Sequence, residues 1–338
     1  MSGNEIDFVM IWVDGNDPDW KRRKAEFTGE ELTDEREERY RDWSLLRFWF
    51  RGVEQFAPWT RKVWFVCDQE PPAWLNKAHP KLSVVRHEDY LPEEYRPAFS
   101  SHPIELNLHR IEGLSEQFVY FNDDLFLISP VKEEFFFKNG LPCDSALLNP
   151  VSTDTLALNP GGRVSPMTLM NAEHLNRDYR FYPCLRKHFF KWFHPCYGKG
   201  LIKNAICALW PKFVGFDEPH LAQAFLKSSF LGAWEQDFDI LDQTSRHHVR
   251  HFMDVNQWLI RERQLAEGKF HVRIIPKNAV FSIQEDSPLM HSTIRNQRIP
   301  MVCLNDDGPL DQITFSRLRK ELIDDFTAIL PGKSSFEY

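Results

Sequence analysis

Four short apolar runs restrict what this chain can fold into more than any other feature. IDFVMIWV (Ile6–Val13), RKVWFVC (Arg61–Cys67), KLSVVRH (Lys81–His87) and QFVYFNDD (Gln117–Asp124) have strand length and are rich in β-branched and aromatic residues. Helical or loop segments separate them. Strands alternating with helices predict an α/β architecture, a mostly parallel sheet covered on both faces. Ligands of such sheets gather at the carboxyl ends of the strands. Two runs end there in acidic clusters, DGNDP after Val13 and Asn122-Asp123-Asp124, and these are expected to face one cleft.

Between the runs, WSLLRFWFRGVEQFAPW sets Trp43, Leu46, Phe50, Val53 and Phe56 at helical spacing and ends at Pro58. Arg47 and Arg51, four apart, share one face of that helix. Lys21–Arg41 is charged and reads as a solvated helix or loop. Past Pro166 the pattern turns helical and aromatic. Residues 166–268 are therefore expected to form a helical insertion on the acceptor side, and 1–165 with 269–338 the α/β core of a single catalytic unit. HVRIIP reads as a further strand, CLNDDGP as a turn and FSRLRKELIDDFTAIL as a final amphipathic helix.

A net charge of −8 argues against a nucleic-acid partner, whose binders carry a basic footprint. No apolar run reaches the roughly 20 residues of a membrane span, and the N-terminus has no signal-peptide pattern, so a cytoplasmic protein is expected. The six cysteines show no CxxC spacing, which points to reduced, packed thiols and not to zinc or disulfides. GxGxxG and Walker sequences are absent, leaving dehydrogenase and P-loop readings without support.

Adjacent carboxylates are costly to bury without a partner. Asn122, Asp123 and Asp124 suit an oxygen-ligated divalent cation, Mg2+ or Mn2+, against the plainer reading of a turn or cap. Asp14 and Asp17, supported by Trp12, suit a ribose or base, against an Asx-turn. Counter-charges come from Arg47 and Arg51. His102, Glu105, His109 and Arg110 crowd one expected helix, with Glu105 and His109 on one face, as a phosphate or proton-shuttle cluster. His247, His248, Arg250, His251 and Asp254 suggest a phosphate clamp. The basic, aromatic stretch Arg177–Lys203 suits an anionic acceptor or a membrane surface, against a snorkelling helical face.

Read together, IDFVMIWVDGNDPDW, RFWFRGVEQFAPWTRKVWFVCDQEPPAWL, the stretch from His79 to Asp124 and VCLNDD resemble, in order, conserved regions of the Stealth family of sugar-1-phosphate transferases. The resemblance spans Ile6 to Asp307. It implies a Rossmann-like, GT-A-like nucleotide-sugar-binding core and a divalent metal on Asp123 and Asp124, with Asp306 completing the set. Transfer of a hexose or HexNAc 1-phosphate from a UDP-linked donor onto a glycan hydroxyl follows, in capsular or cell-wall polysaccharide synthesis. Trp12, Asp14, Gly15 and Asp17 would then hold the nucleotide side, Arg47, Arg51 and Arg250 the phosphates, and Asn122 and Asn305 further substrate contacts.

Where the family carries His-x-Pro, this chain reads FDEPHLAQAF. The base is accordingly expected at His220, with Asp217, Glu218 and His109 behind it. The competing expectations are a metal-dependent glycosyltransferase using the same donor, and a catalytically silent carbohydrate-binding scaffold. A peripheral contact with the inner face of the cell membrane through Arg177–Lys203 is expected beside either enzyme reading.

Overall fold

The computed structural model describes residues 5–28, 41–151, 166–275 and 279–338. Its main sheet has the order β3 (Leu82–Val85), β2 (Lys62–Val66), β1 (Ile6–Ile11), β4 (Gln117–Phe121) and β8 (Gln223–Leu226). The first four, the runs read from the sequence, are parallel, and β8 joins antiparallel to β4. Alternation along the strands feeds two cores. Phe8, Met10, Val63, Phe65, Val119 and Phe121 point to one face, and Val9, Trp64, Val66, Phe118 and Tyr120 to the other.

The first face is covered by α2 (Leu46–Phe56) and α12 (Gln312–Ile329). Phe48, Trp49, Phe50, Val53 and Phe56 make the buried stripe of α2, which stops before Pro58 as the spacing predicts. The opposite face is covered by α3 (Ser101–Leu106), α8 (Lys227–Gln236), α9 (Phe238–Ser245) and α10 (Gln257–Ala266). Short α1 (Pro18–Thr28) follows β1, while residues 29–40 of the charged stretch lie outside the described residues.

Directly after β4 the chain turns through Asn122-Asp123-Asp124 into β5 (Leu125–Leu127) and leaves the main sheet. β5 pairs antiparallel with β11 (Met301–Asn305), which pairs in turn with β10 (Val280–Ser282). The segment CLNDDGP, expected as a turn, therefore begins inside a strand. A third small sheet joins β6 (Phe137–Lys138), β7 (Leu141–Asp144) and β9 (His271–Val272), so HVRIIP supplies only two strand residues before the chain passes out of the described residues at 276.

The segment 166–268 has two parts. Helices α4 (Pro166–Asp178), α5 (Phe181–Lys187), α6 (Phe189–Trp192) and α7 (Gly200–Cys207) precede the rest, and a separate core forms around Phe181, Trp192, Phe213 and Phe216. Beyond Ala222 the same segment gives the main sheet its edge strand and most of one covering layer. Buried Arg261 ties the parts together, binding Asp144 in two-pronged fashion at 2.7 and 2.8 Å and the Asp217 carbonyl at 2.9 Å.

Gly52 lets α2 lie against β5: a Cβ there would sit 2.9 Å from the Leu127 carbonyl oxygen. In an unconstrained helix Gly→Ala stabilises by about 1 kcal/mol. Here the clash reverses the sign, and Gly52→Ala is expected to cost about 1–3 kcal/mol, read as a lower midpoint in urea unfolding.

Candidate active site

The carboxyl ends of β1, β2, β3 and β4 open into one cleft of about 1660 Å³, and the second sheet brings the end of β11 to its wall. Of the residues singled out in the sequence, Trp12, Asp14, Gly15, Arg47, Arg51, Asn122, Asp123, Asp124, His220, Arg250, Asn305 and Asp306 line it.

At the β1 end Trp12 stacks on Phe65, with ring centroids 5.6 Å apart. Gln69, after β2, fixes the next turn by accepting the Asp14 amide (2.7 Å) and donating to the Asp14 carbonyl (2.8 Å). Asp17 is not a wall residue. Its carboxylate caps α1, accepting from the amides of Asp19 (2.9 Å) and Trp20 (3.4 Å) and from Gln69 Nε2 (3.0 Å). Desolvation opposes these bonds, which prevail and lower its pKa. The Asx-type reading thus describes Asp17, and Asp14 as well, whose Oδ1 accepts from the Asn16 amide at 2.8 Å while the residue lines the cleft.

At the β4 end Asn122 accepts from the Tyr120 hydroxyl (2.7 Å), and the Leu304 amide donates to the Asp124 carbonyl (2.9 Å), binding the acidic turn to β11. Asp124 Oδ2 lies 3.3 Å from His220 Nε2 and accepts from the Cys303 thiol at 3.3 Å. Its Oδ1 is buried and has no hydrogen-bond partner. Asp123 reaches the water of the cleft, yet the surrounding walls and neighbouring Asp124 push its pKa up to about 7. Asp124, His220 and Cys303 each place a donor atom within 4.8 Å of the other two. Two carboxylates with an unpartnered buried oxygen fit a hard divalent cation, which takes oxygen ligands. Burial and the Asp124 charge hold Cys303 far above the ordinary thiol range, so it serves as a hydrogen-bond donor.

Asp306 has a different occupation. It accepts from Arg41 Nη1 at 3.1 Å on both oxygens, from Trp43 Nε1 at 2.9 Å and from Gln284 Nε2. These contacts make it a brace between β11 and the segment before α2, and leave the paired carboxylates of the β4 turn as the metal candidates. Asn305 donates to Asp307 at 3.3 Å on the cleft wall.

The cations divide similarly. Arg51 is held in a fork by Glu337 (2.7 and 2.9 Å) and by the Leu330 carbonyl (3.1 Å), so its charge is spent on the C-terminal segment. Arg47 is exposed in the cleft with its guanidinium over the Trp74 ring at 5.1 Å. Arg250 is exposed on the opposite wall, reaching Ser101 Oγ at 3.4 Å. The histidines around Arg250 are scaffold: buried Asp254 accepts from His102 (2.9 Å), His247 (2.6 Å) and the His251 amide (2.9 Å), and His248 contacts the Pro97 carbonyl (2.6 Å).

Among the base candidates, His109 is buried between Phe230 and Trp234, off the cleft, and desolvation drives its pKa down to about 3. It does not share a helix with Glu105, because α3 ends at Leu106 and a 3-10 turn follows. Asp217 is absent from the cleft wall, and its backbone is anchored to Leu147 and Arg261. Desolvation opposes protonation of His220, but Asp124 and Asp123 prevail and raise its pKa.

Glu218 emerges more strongly than its place in the sequence suggests. It lines the cleft, accepts from Thr168 Oγ1 at 3.3 Å, and has a buried Oε1 with no partner. Burial pushes its pKa up to about 7. Glu105 is also missed as an anchor: buried beneath the cleft, it accepts from the Gln257 amide at 3.3 Å and lies 2.9 Å from the Tyr120 hydroxyl oxygen.

Comparison with known proteins gives a matching family model and full-length relatives. The family model for Stealth protein CR2, conserved region 2, matches residues 39–144. The chain is 37% identical over 338 residues to the capsular polysaccharide phosphotransferase WcwK of Streptococcus pneumoniae, covering 98% of each. It is 36% identical to the exopolysaccharide phosphotransferase cps2G of Lactiplantibacillus plantarum, covering 98% of this chain and 96% of that one. It is 34% identical to the receptor polysaccharide phosphotransferase WefC of Streptococcus oralis, covering 99% of each. Among solved structures it aligns with the glycosyltransferase GlyE of Streptococcus pneumoniae TIGR4 at 11% identity and a TM-score of 0.41, over 99% of this chain and 65% of that one.

Proposed function

This chain belongs to the Stealth family and is a phosphotransferase, and from that premise we propose that it moves a sugar 1-phosphate from a nucleotide diphosphate sugar to a glycan hydroxyl. The donor class is a UDP-hexose or UDP-HexNAc, and the acceptor an oligosaccharide or polysaccharide of a capsule or cell wall. The acceptor oxygen forms a bond to the phosphorus that carries the sugar. The bond from that phosphorus to the bridging oxygen breaks, a phosphodiester results, and the nucleoside monophosphate departs. Such a transfer needs chiefly positioning and charge stabilisation.

The observation that carries this reading is the pairing of an acidic floor with unspent cations in one cleft: Asp123 and Asp124, the latter with a buried unpartnered oxygen, face the space lined by Arg47 and Arg250. Asp123 and Asp124 would hold Mg2+ or Mn2+, which when bound supplies positive charge against the donor diphosphate. Arg47 and Arg250 bind phosphate oxygens from the two walls. Trp12, Asp14 and Gly15 receive the nucleoside at the β1 end, where open α/β sheets bind such ligands. Asn122 and Asn305 offer amides to the sugar phosphate. Glu218 takes the proton of the acceptor hydroxyl, because its free oxygen is buried at the wall whereas His220 is engaged by Asp124.

A mass-spectrometric product assay tests this with UDP- and GDP-sugars, short glycan acceptors, and Mg2+ or Mn2+ against a chelator. The expected result is metal-dependent release of a nucleoside monophosphate, with the acceptor gaining hexose plus phosphate. Release of a nucleoside diphosphate with a gain of hexose alone means attack at the anomeric carbon, and a glycosyltransferase. Donor binding without turnover would mean a silent scaffold.

A further inference from the structure

Helices α6 and α7 carry an apolar face that the protein leaves in water. Phe190 is 84% exposed, Leu209 77%, Ile202 66%, Trp210 65% and Ile206 63%. The last four share a stripe: their spacing follows the helical repeat, and helical turns continue past α7 through Leu209 N to Ile206 O (3.2 Å) and Trp210 N to Cys207 O (3.1 Å). The other side of α7 buries Asn204 and Cys207. Asn204 donates to the Trp192 carbonyl at 2.8 Å and so ties α7 to the end of α6, the helix that carries Phe190. Single exposed apolar side chains are ordinary, but a contiguous set marks an interaction surface.

The charge of this segment names the partner. From Arg180 to Lys212 there are seven Lys or Arg residues and no Asp or Glu, in a chain whose net charge is −8. Arg186, Lys187 and Lys199 are exposed. Among the described residues no helix is long and apolar enough to cross a membrane. We propose that α5 to α7 form a monotopic face that seats on an anionic phospholipid surface, with Phe190, Leu209 and Trp210 below the headgroups and the cations among the phosphates. A soluble polyanionic glycan would satisfy the cations and leave the rings in water, so lipid accounts for more of the surface.

The face also lies within reach of the cleft. α4 carries Thr168 on the cleft wall at one end and leads into α5 at the other, and its 13 residues span about 20 Å. Glycans anchored in that surface would thus present their first sugars near the cleft. Vesicle binding does not depend on which bond the enzyme breaks, so it fails or succeeds separately from the proposed reaction.

The test is co-sedimentation of the full chain with phosphatidylcholine vesicles containing or lacking phosphatidylglycerol. Binding to the anionic vesicles is expected, weakened at least about tenfold by high salt. The triple variant Phe190→Ser, Leu209→Ser, Trp210→Ser should bind about a hundredfold more weakly while its melting curve and turnover with soluble substrates match the parent. No sedimentation of the parent, or equal binding by the triple variant, overturns the proposal. Heparin binding that survives the three substitutions, without vesicle binding, reassigns the face to a polyanionic glycan and overturns it equally.

Discussion

Asp124→Asn is expected to lower the transfer rate on the order of a thousandfold while leaving the fold intact. The side chain keeps its shape, and its amide oxygen still accepts from the Cys303 thiol, which sits 3.3 Å from Oδ2 in the parent. What disappears is one charge beside Asp123, and with it the ion pair to His220 Nε2 at 3.3 Å. Relief of the like-charge contact offsets loss of that pair, so the melting temperature of the metal-free variant should stay close to that of the parent. Mn2+ should raise the melting temperature of the parent but not that of the variant, since a ligand stabilises only the form that binds it. Transfer within tenfold of the parent, or an undiminished manganese shift, would sink the assignment of Asp124 to the metal.

Glu218→Gln should lower the rate by about 10² to 10⁴, the range for loss of a general base. The pH dependence gives the sharper reading. A base works ionised, and burial pushes the Glu218 carboxyl up to about 7, so activity of the parent should climb as pH rises through that value and then level off. Removing the base removes the limb. Asp123 also titrates near 7, but metal and proton compete for it, so its contribution shifts with metal concentration and that of Glu218 does not. If His220→Gln flattens the limb and Glu218→Gln leaves it, the base is His220 as the sequence alone suggests.

How far the sequence leads depends on whether the deciding interaction is local. The four parallel strands are legible because each is a short run with β-branched residues at its centre, and the acidic turns are legible because polar residues break two of those runs at their ends. β8 is not: QAFL, Gln223–Leu226, is fully buried but has no β-branched residue and opens on glutamine, so nothing local marks it as a strand. Side-chain roles diverge for the same reason. Arg47 and Arg51 look equivalent on one helical face, yet Glu337, which lies 286 positions further along the chain, claims only the second. The two Asn-Asp-Asp sequences, 122–124 and 305–307, also look alike, and Arg41, Trp43 and Gln284 turn Asp306 into a brace. Glu218 stands out from its neighbours through a buried, unpartnered carboxylate oxygen, a product of tertiary packing that adjacent letters do not carry.

The fork between Arg51 and Glu337 has a consequence for truncation. Arg51 lies on the cleft wall, and the carboxylate that neutralises it stands 286 positions further along the chain, beyond β11, the strand that backs the acidic turn. A chain cut before Met301 keeps the four parallel strands and the acidic turn in its sequence, yet it carries an extra uncommitted cation on the cleft wall and has no strand behind that turn.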